Sequence, residues 1–256
     1  ILYLKEKKMA IDMKKMREKL VNLQNRGQEK NNFWRPQDGE TTIRIVPTED
    51  GDPFKEFWFH YNLGNNAGFL SPKKNFGEED PLDNFVRSLF NEGTEDSIKM
   101  AKNLMARQRF FTPVLVRGEE DQGVRVWGFG KMAYQELLSL VLNPDYGDIT
   151  DTEEGTDLVI KYGKPAGAQF PQTSITPRRR PSGLSGTKKE IKTLLEQVPD
   201  FTTLFDRKTP EQVQNMLDEF LLGDDAAEEN SSESKKYETK SDKVNSVDEA
   251  FSEFLG

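Results

Sequence analysis

Short runs of alternating apolar and polar residues, turn residues between them and helical stretches spliced among them predict a mainly β fold with α-helices. The expected form is an OB-fold, a five-stranded partly open β-barrel with a helical subdomain inserted. A basic N-terminal helix and a disordered acidic C-terminal tail are expected to flank it. The divisions expected are an arm over 1–30, a core over 31–222 with the insertion at about 64–107, and a tail over 223–256.

The arm carries nine basic residues against four acids, a net +5. Within 9–25, Ile11, Met13, Met16, Leu20 and Leu23 fall along one helical stripe until Arg26-Gly27 ends the pattern. A helix this short needs a surface to lie on: a second protein copy, DNA or its own core. Lys14, Lys15, Arg17 and Lys19 stand around that stripe.

From Phe33 the composition becomes β-like. Residues 41–46 alternate and stop at Pro47, and 49–52 form a turn. Residues 54–63 are an aromatic-rich strand ended by Gly64-Asn65-Asn66, while 110–117 and 123–129 form a hairpin about 118–122. Residues 158–162 supply another strand. Helices are expected over 82–90, 94–107, 131–142, 187–197 and 209–221, the third stopped by Asn143-Pro144. Beyond Gly223 ten acids face four lysines, a net −6, and no apolar period remains. At the terminus Phe251, Phe254 and Leu255 recur among acids, as in a linear segment that docks onto a partner protein.

Composition limits the function. Only 34% of residues are hydrophobic and 31% are charged, so the core is modest. The absence of cysteine excludes disulfides, cysteine-ligated zinc and thiol catalysis. No apolar run approaches the roughly 18 residues of a membrane span, so a soluble, intracellular protein without membrane contact is expected. Met9-Ala10 has the form of an initiation site. There is one histidine, His60, and no nucleophile elbow, phosphate loop, metalloprotease or dinucleotide signature. The chain is therefore expected not to be an enzyme. The acids Asp145, Asp148, Asp151, Glu153, Glu154 and Asp157 lack the spacing of a calcium loop and are expected in a surface turn.

Aromatic and basic residues interleave on the expected strands. Phe57, Phe59 and Tyr61 form one group, beside Trp58 and His60 on the opposite face. Arg107, Arg109, Phe110 and Phe111 form a second, and Arg125, Trp127, Phe129 and Lys131 a third. In the third, Arg125, Trp127 and Phe129 share a face, with Val124 and Val126 turned to the core. Rings stack on bases of any sequence and cations neutralise phosphates, so such a face suits single-stranded nucleic acid. Arg178, Arg179 and Arg180 lie between Pro177 and Pro181 and precede 182–186, a Gly/Ser stretch expected to leave the loop free to close over a strand. Arg44, Lys73 and Lys74 complete the candidate DNA contacts.

The order of these features resembles the single-stranded DNA-binding (helix-destabilising) proteins of T-even and related phages. The resemblance runs from the basic helix through Ile43-Arg44-Ile45-Val46-Pro47, the aromatic strand ending in His60, and the segment 71–83. It continues through 107–111, Trp127-Gly128-Phe129-Gly130-Lys131, the arginine triplet and the acidic tail. It implies an OB-fold core, an arm for cooperative self-association with Lys14, Lys15, Arg17 and Lys19 as its candidate residues, and a tail that recruits phage replication and recombination proteins. The setting it implies is the cytoplasm of an infected bacterium. It also implies a structural zinc held by one histidine and three cysteines. Here His60 stands at the histidine position, and Ser71, Asp80 and Asp83 stand at the cysteine positions. Two carboxylates, a hydroxyl and an imidazole suit zinc poorly. No cofactor is expected; the subdomain is expected to be held by Leu82, Phe85, Val86, Leu89 and Phe90. Two other readings remain: an RNA-binding protein or translational repressor using the same groove, and a metal-dependent nuclease built on the acid-rich stretch.

Overall fold

Alternation in 39–45 and 55–60 and the turn at 118–122 generate the central pairings of a mixed α/β structure. The computed structural model describes residues 33–64, 68–205 and 207–228, with side-chain surroundings up to residue 222. The self-association residues of the arm and the docking residues of the tail lie outside the described residues.

The described residues hold eight strands: β1 (Phe33–Trp34), β2 (Gly39–Ile45), β3 (Lys55–His60), β4 (Phe69–Leu70), β5 (Arg107–Val116), β6 (Arg125–Phe129), β7 (Leu158–Gly163) and β8 (Gln172–Pro177). They also hold six helices: α1 (Pro72–Phe76), α2 (Pro81–Glu92), α3 (Glu95–Leu104), α4 (Lys131–Val141), α5 (Lys188–Glu196) and α6 (Pro210–Glu228). The sheet runs β1-β6-β5-β2-β7-β8, with β3 on β5 and β4 on β3. Apart from the parallel β1–β6 pair, every pairing is antiparallel.

Strand β5 organises the sheet. Along one edge its residues 107–111 pair with β3 and 114–116 pair with β2, while its other edge carries β6. Pro113 falls where the first edge passes from β3 to β2, so its missing N–H interrupts neither ladder.

Both faces of this sheet are covered. One packs Trp34, Ile43, Ile45, Phe110, Trp127 and Phe129 against Ala133 and Leu137 of α4. The other packs Phe59, Tyr61, Phe111 and Val126 against Phe201 and Phe205. The helices between β4 and β5 bury Leu82, Val86, Leu89, Ala101 and Leu104 with Val213 and Leu217 of α6. Phe85 is partly buried in that cluster, whereas Phe90, expected there, is 41% exposed.

Helix starts follow capping chemistry. Ser71, Asp80, Thr94 and Thr187 each accept a bond from the amide three residues on, and proline follows the first two. α4 differs: it begins at Gly130 with no side-chain cap.

Candidate nucleic-acid interface

The covered sheet changes the roles expected of the aromatics. Phe59, Tyr61, Phe110, Phe111, Trp127 and Phe129 are all at most 5% exposed. They form the core and offer no ring face to a base. Trp127 illustrates why. It meets Trp34 edge-on at 5.8 Å and Phe129 at 4.6 Å, beneath α4, so the face expected to be open is a helix-packing face. Phe57 is half-buried at the rim, edge-on to Phe111 and Phe205.

The phase of β3 is the reverse of the one expected. Phe59 points into the core and Trp58 is half-exposed, with its indole N–H donating to Glu56 at 3.0 Å. Exposed Lys74 places its ammonium 5.4 Å from the Trp58 ring centre. α1 is fixed there because Asn75 accepts from the Trp58 amide at 3.0 Å and donates to the Trp58 carbonyl at 2.7 Å. Opposite Trp58 lies Gln108, between Arg107 and Arg109. Arg107 is half-buried and donates to the Lys102 carbonyl at 2.7 Å. Burial, then the neighbouring Arg109 charge, draws its pKa down. Arg109 is 7% exposed, and a Cβ added at Gly130 would stand 3.2 Å from its Nη1. That places Arg109 at the uncapped start of α4, beside exposed Lys131. By strand alternation Trp58, with Lys74 over its ring, lies on one face of the β3–β5 pair, and Arg107 and Arg109 lie on the other, Arg109 toward the start of α4 where Lys131 stands.

Other expected cations do structural work. Arg125 is held by Glu119 at 2.6 Å and Gln122 at 2.9 Å. Lys73 pairs with Asp83 at 2.7 Å. Arg44 is fully buried, 3.5 Å from Asp157, and no backbone phosphate can reach it there. Burial lowers its pKa and the Asp157 charge opposes that.

Arg178, Arg179 and Arg180 are exposed, but their loop is not free to close. The Arg178 amide donates to the Asp157 carbonyl at 2.8 Å, Ser182 to Gly155 at 2.9 Å and Leu184 to Thr152 at 2.9 Å. Arg178 reaches Thr42 at 3.1 Å. Residues 31–222 carry a net −7, the whole-chain −8 less the arm's +5 and the tail's −6. A polyanion must therefore meet local groups of cations. Arg207, absent from the expected set, supplies another, lying 4.2 Å over the exposed ring of Phe76 and paired with Glu78.

A family model described as gp32 DNA binding protein like matches residues 37–221, well over half of the chain. The chain belongs to this DNA-binding family. No curated protein matches it.

The family's zinc positions hold a different chemistry here. His60 Nε2 lies 3.1 Å from Asp80 Oδ2, which also accepts from Ser71 Oγ at 2.6 Å. His60 Nδ1 faces the Leu104 carbonyl at 2.8 Å. The second Asp80 oxygen accepts from the Asp83 amide at 3.2 Å. His60, Ser71 and Asp80 are at most 1% exposed. Burial raises the Asp80 pKa, but the His60, Ser71 and Asp83 bonds outweigh it and hold the carboxyl at about 2. Asp83 turns its carboxylate to Lys73 and to Arg87, the latter at 3.2 Å. The donor set does not fit zinc: one carboxylate is held by two cations, and the remaining groups satisfy one another. Among the described residues no group of three or more His, Cys, Asp or Glu could hold a metal ion.

Proposed function

We propose that the protein binds single-stranded DNA without sequence preference, coating it cooperatively during phage replication, recombination and repair in the infected cell. The match to the DNA-binding family over the folded core carries this reading. The local geometry supports it, with a half-exposed indole beside Lys74 and exposed arginines at 178–180. A long β5 that serves two partners along one edge suits a partly open barrel of the OB kind.

In this reading the rings and cations around β3–β5 hold the strand and Lys14, Lys15, Arg17 and Lys19 join neighbouring copies. Phe251, Phe254 and Leu255 of the tail recruit replication and recombination proteins. The protein is no enzyme. Three carboxylates of the acid-rich stretch are already engaged: Asp157 by Arg117, Asp151 in capping the amides of Glu153 and Glu154, and Asp148 in binding Thr150.

Titration of labelled single strands, duplex and RNA at several salt concentrations tests the proposal. Tightest binding is expected for single-stranded DNA, independent of base composition. The log–log salt slope is expected to be about −0.7 for each phosphate neutralised. A slope near zero, or preference for RNA or duplex, would overturn it.

The core is further proposed to be free of zinc. Elemental analysis is expected to find far less than one zinc per chain, and a chelator is expected to leave the melting temperature unchanged. One tightly held equivalent, with melting that falls on chelation, refutes this.

A further inference from the structure

The arginine turn is tied to the core by a buried charge cluster that the nucleic-acid reading does not use. Asp157, 9% exposed, stands between two arginines. Arg117 Nε approaches both Asp157 oxygens at 3.2 Å, and its Nη2 donates to Oδ1 at 2.8 Å. The same guanidinium donates to the Gly183 carbonyl at 2.7 Å and the Leu184 carbonyl at 3.0 Å. From below, Arg44 reaches Ser182 Oγ at 3.2 Å, the Asp151 carbonyl, and Asp157 at 3.5 Å.

Glycine is required at 155, where any Cβ would collide with the Arg44 guanidinium and the Asp151 carbonyl. Leu184 then buries its side chain with Val46, Leu115 and Val124. Segment 178–184 is thus fixed by three backbone bonds, the Arg117 fork, one Arg44 bond and an apolar anchor. Arg179 and Arg180 stand exposed between the fixed ends, with no ion pair to any of the described residues.

We propose that Arg117 and Asp157 are positioning residues that hold the 178–184 turn rigid, so that Arg179 and Arg180 meet a phosphodiester backbone already in place. A mobile loop would lose its freedom on each binding event, and this turn has lost it on folding. The proposal rests on the DNA-binding reading above.

The test compares four full-length proteins on a labelled thymidine oligonucleotide at low salt: wild type, Arg117→Gln, the pair Arg179→Ala/Arg180→Ala, and the triple variant. Melting temperature and amide exchange at Ser182 and Leu184 are recorded for each. The arginine pair is expected to lose about tenfold in affinity and to flatten the salt slope by about 1.4, two single-strand phosphates' worth. Arg117→Gln is expected to lose severalfold with faster exchange at both amides, and to add less than twofold to the loss of the pair. That masking separates positioning from general destabilisation, which would weaken every background alike.

Wild-type affinity in a folded Arg117→Gln, or a full extra loss in the triple variant, overturns the proposal. Should Arg117→Gln fail to fold, Arg117→Lys keeps the charge facing Asp157, loses the fork to the two carbonyls and carries the same comparison. A wild type that ignores single strands overturns the DNA reading itself. Binding that is equal in wild type and the Arg117 variant overturns the clamp alone.

Discussion

Replacing Asp80 with alanine is expected to cost about 3–5 kcal/mol, enough to unfold much of the molecule near its growth temperature. Three partners lose an acceptor at once: the His60 ring, the Ser71 hydroxyl and the Asp83 amide. All three bonds end on a carboxylate that is 1% exposed, so water cannot replace it without opening the packing of α1, α2 and β3. Asp80 is also the N-cap of α2, and losing a cap costs about 1 kcal/mol of itself. The His60 contact to Leu104 means the damage reaches the end of α3 and the start of β5, where Arg107 begins the basic cluster. Removing all three polar side chains together, as His60→Phe, Ser71→Ala and Asp80→Leu, is expected to restore part of the loss, because the ring and the hydroxyl that lacked the carboxylate are gone, while the Asp83 amide and the Leu104 carbonyl still lose their side-chain partners. Urea unfolding followed by near-ultraviolet circular dichroism measures both. An Asp80→Ala protein within about 1 kcal/mol of wild type would mean that the trio contributes little beyond filling space.

The same residues mark how far local pattern carries. The strands at 39–45, 55–60, 107–116, 125–129 and 158–163 were legible because alternation, β-branched residues and bounding glycines agree. β1 and β4 were not legible, since two residues carry no period. β8 escaped because Gln172, Thr173, Ser174 and Thr176 are polar and only Ile175 is buried. The site was read less well, for a reason of tertiary origin. Arg44 sits between Ile43 and Ile45 and reads as outward, yet the loop bearing Gly155 and Asp157 folds over it. Likewise the rings of β5 and β6 read as a one-sided binding face, because nothing local says that α4 covers one face and Phe201 and Phe205 the other. The cations on turns and helix starts, Lys74, Lys131 and 178–180, are exposed as their composition suggested.

The two tryptophans of β3 and β6 give opposite expected results, and together they test this reassignment. Trp127→Ala removes a side chain that is 1% exposed and packed against Trp34 and Phe129, so a loss of about 3–5 kcal/mol in stability is expected. Its effect on DNA should follow the unfolded fraction and vanish where the protein is held folded by low temperature. Trp58→Ala removes a half-exposed indole whose ring contact is with Lys74, so melting should change little. Affinity for single strands should nonetheless fall roughly 5- to 150-fold, the equivalent of about 1–3 kcal/mol for one stacked base. A Trp58→Phe protein, which keeps a ring face, should recover much of it, whereas Lys74→Ala should weaken binding and flatten the salt slope by about 0.7. Quenching of indole fluorescence by added oligonucleotide reports the stacking directly, and it should disappear in Trp58→Ala while persisting in folded Trp127→Phe. Quenching that survives the loss of Trp58 but not of Trp127 would return the binding face to β6 and contradict the packing of α4 against it.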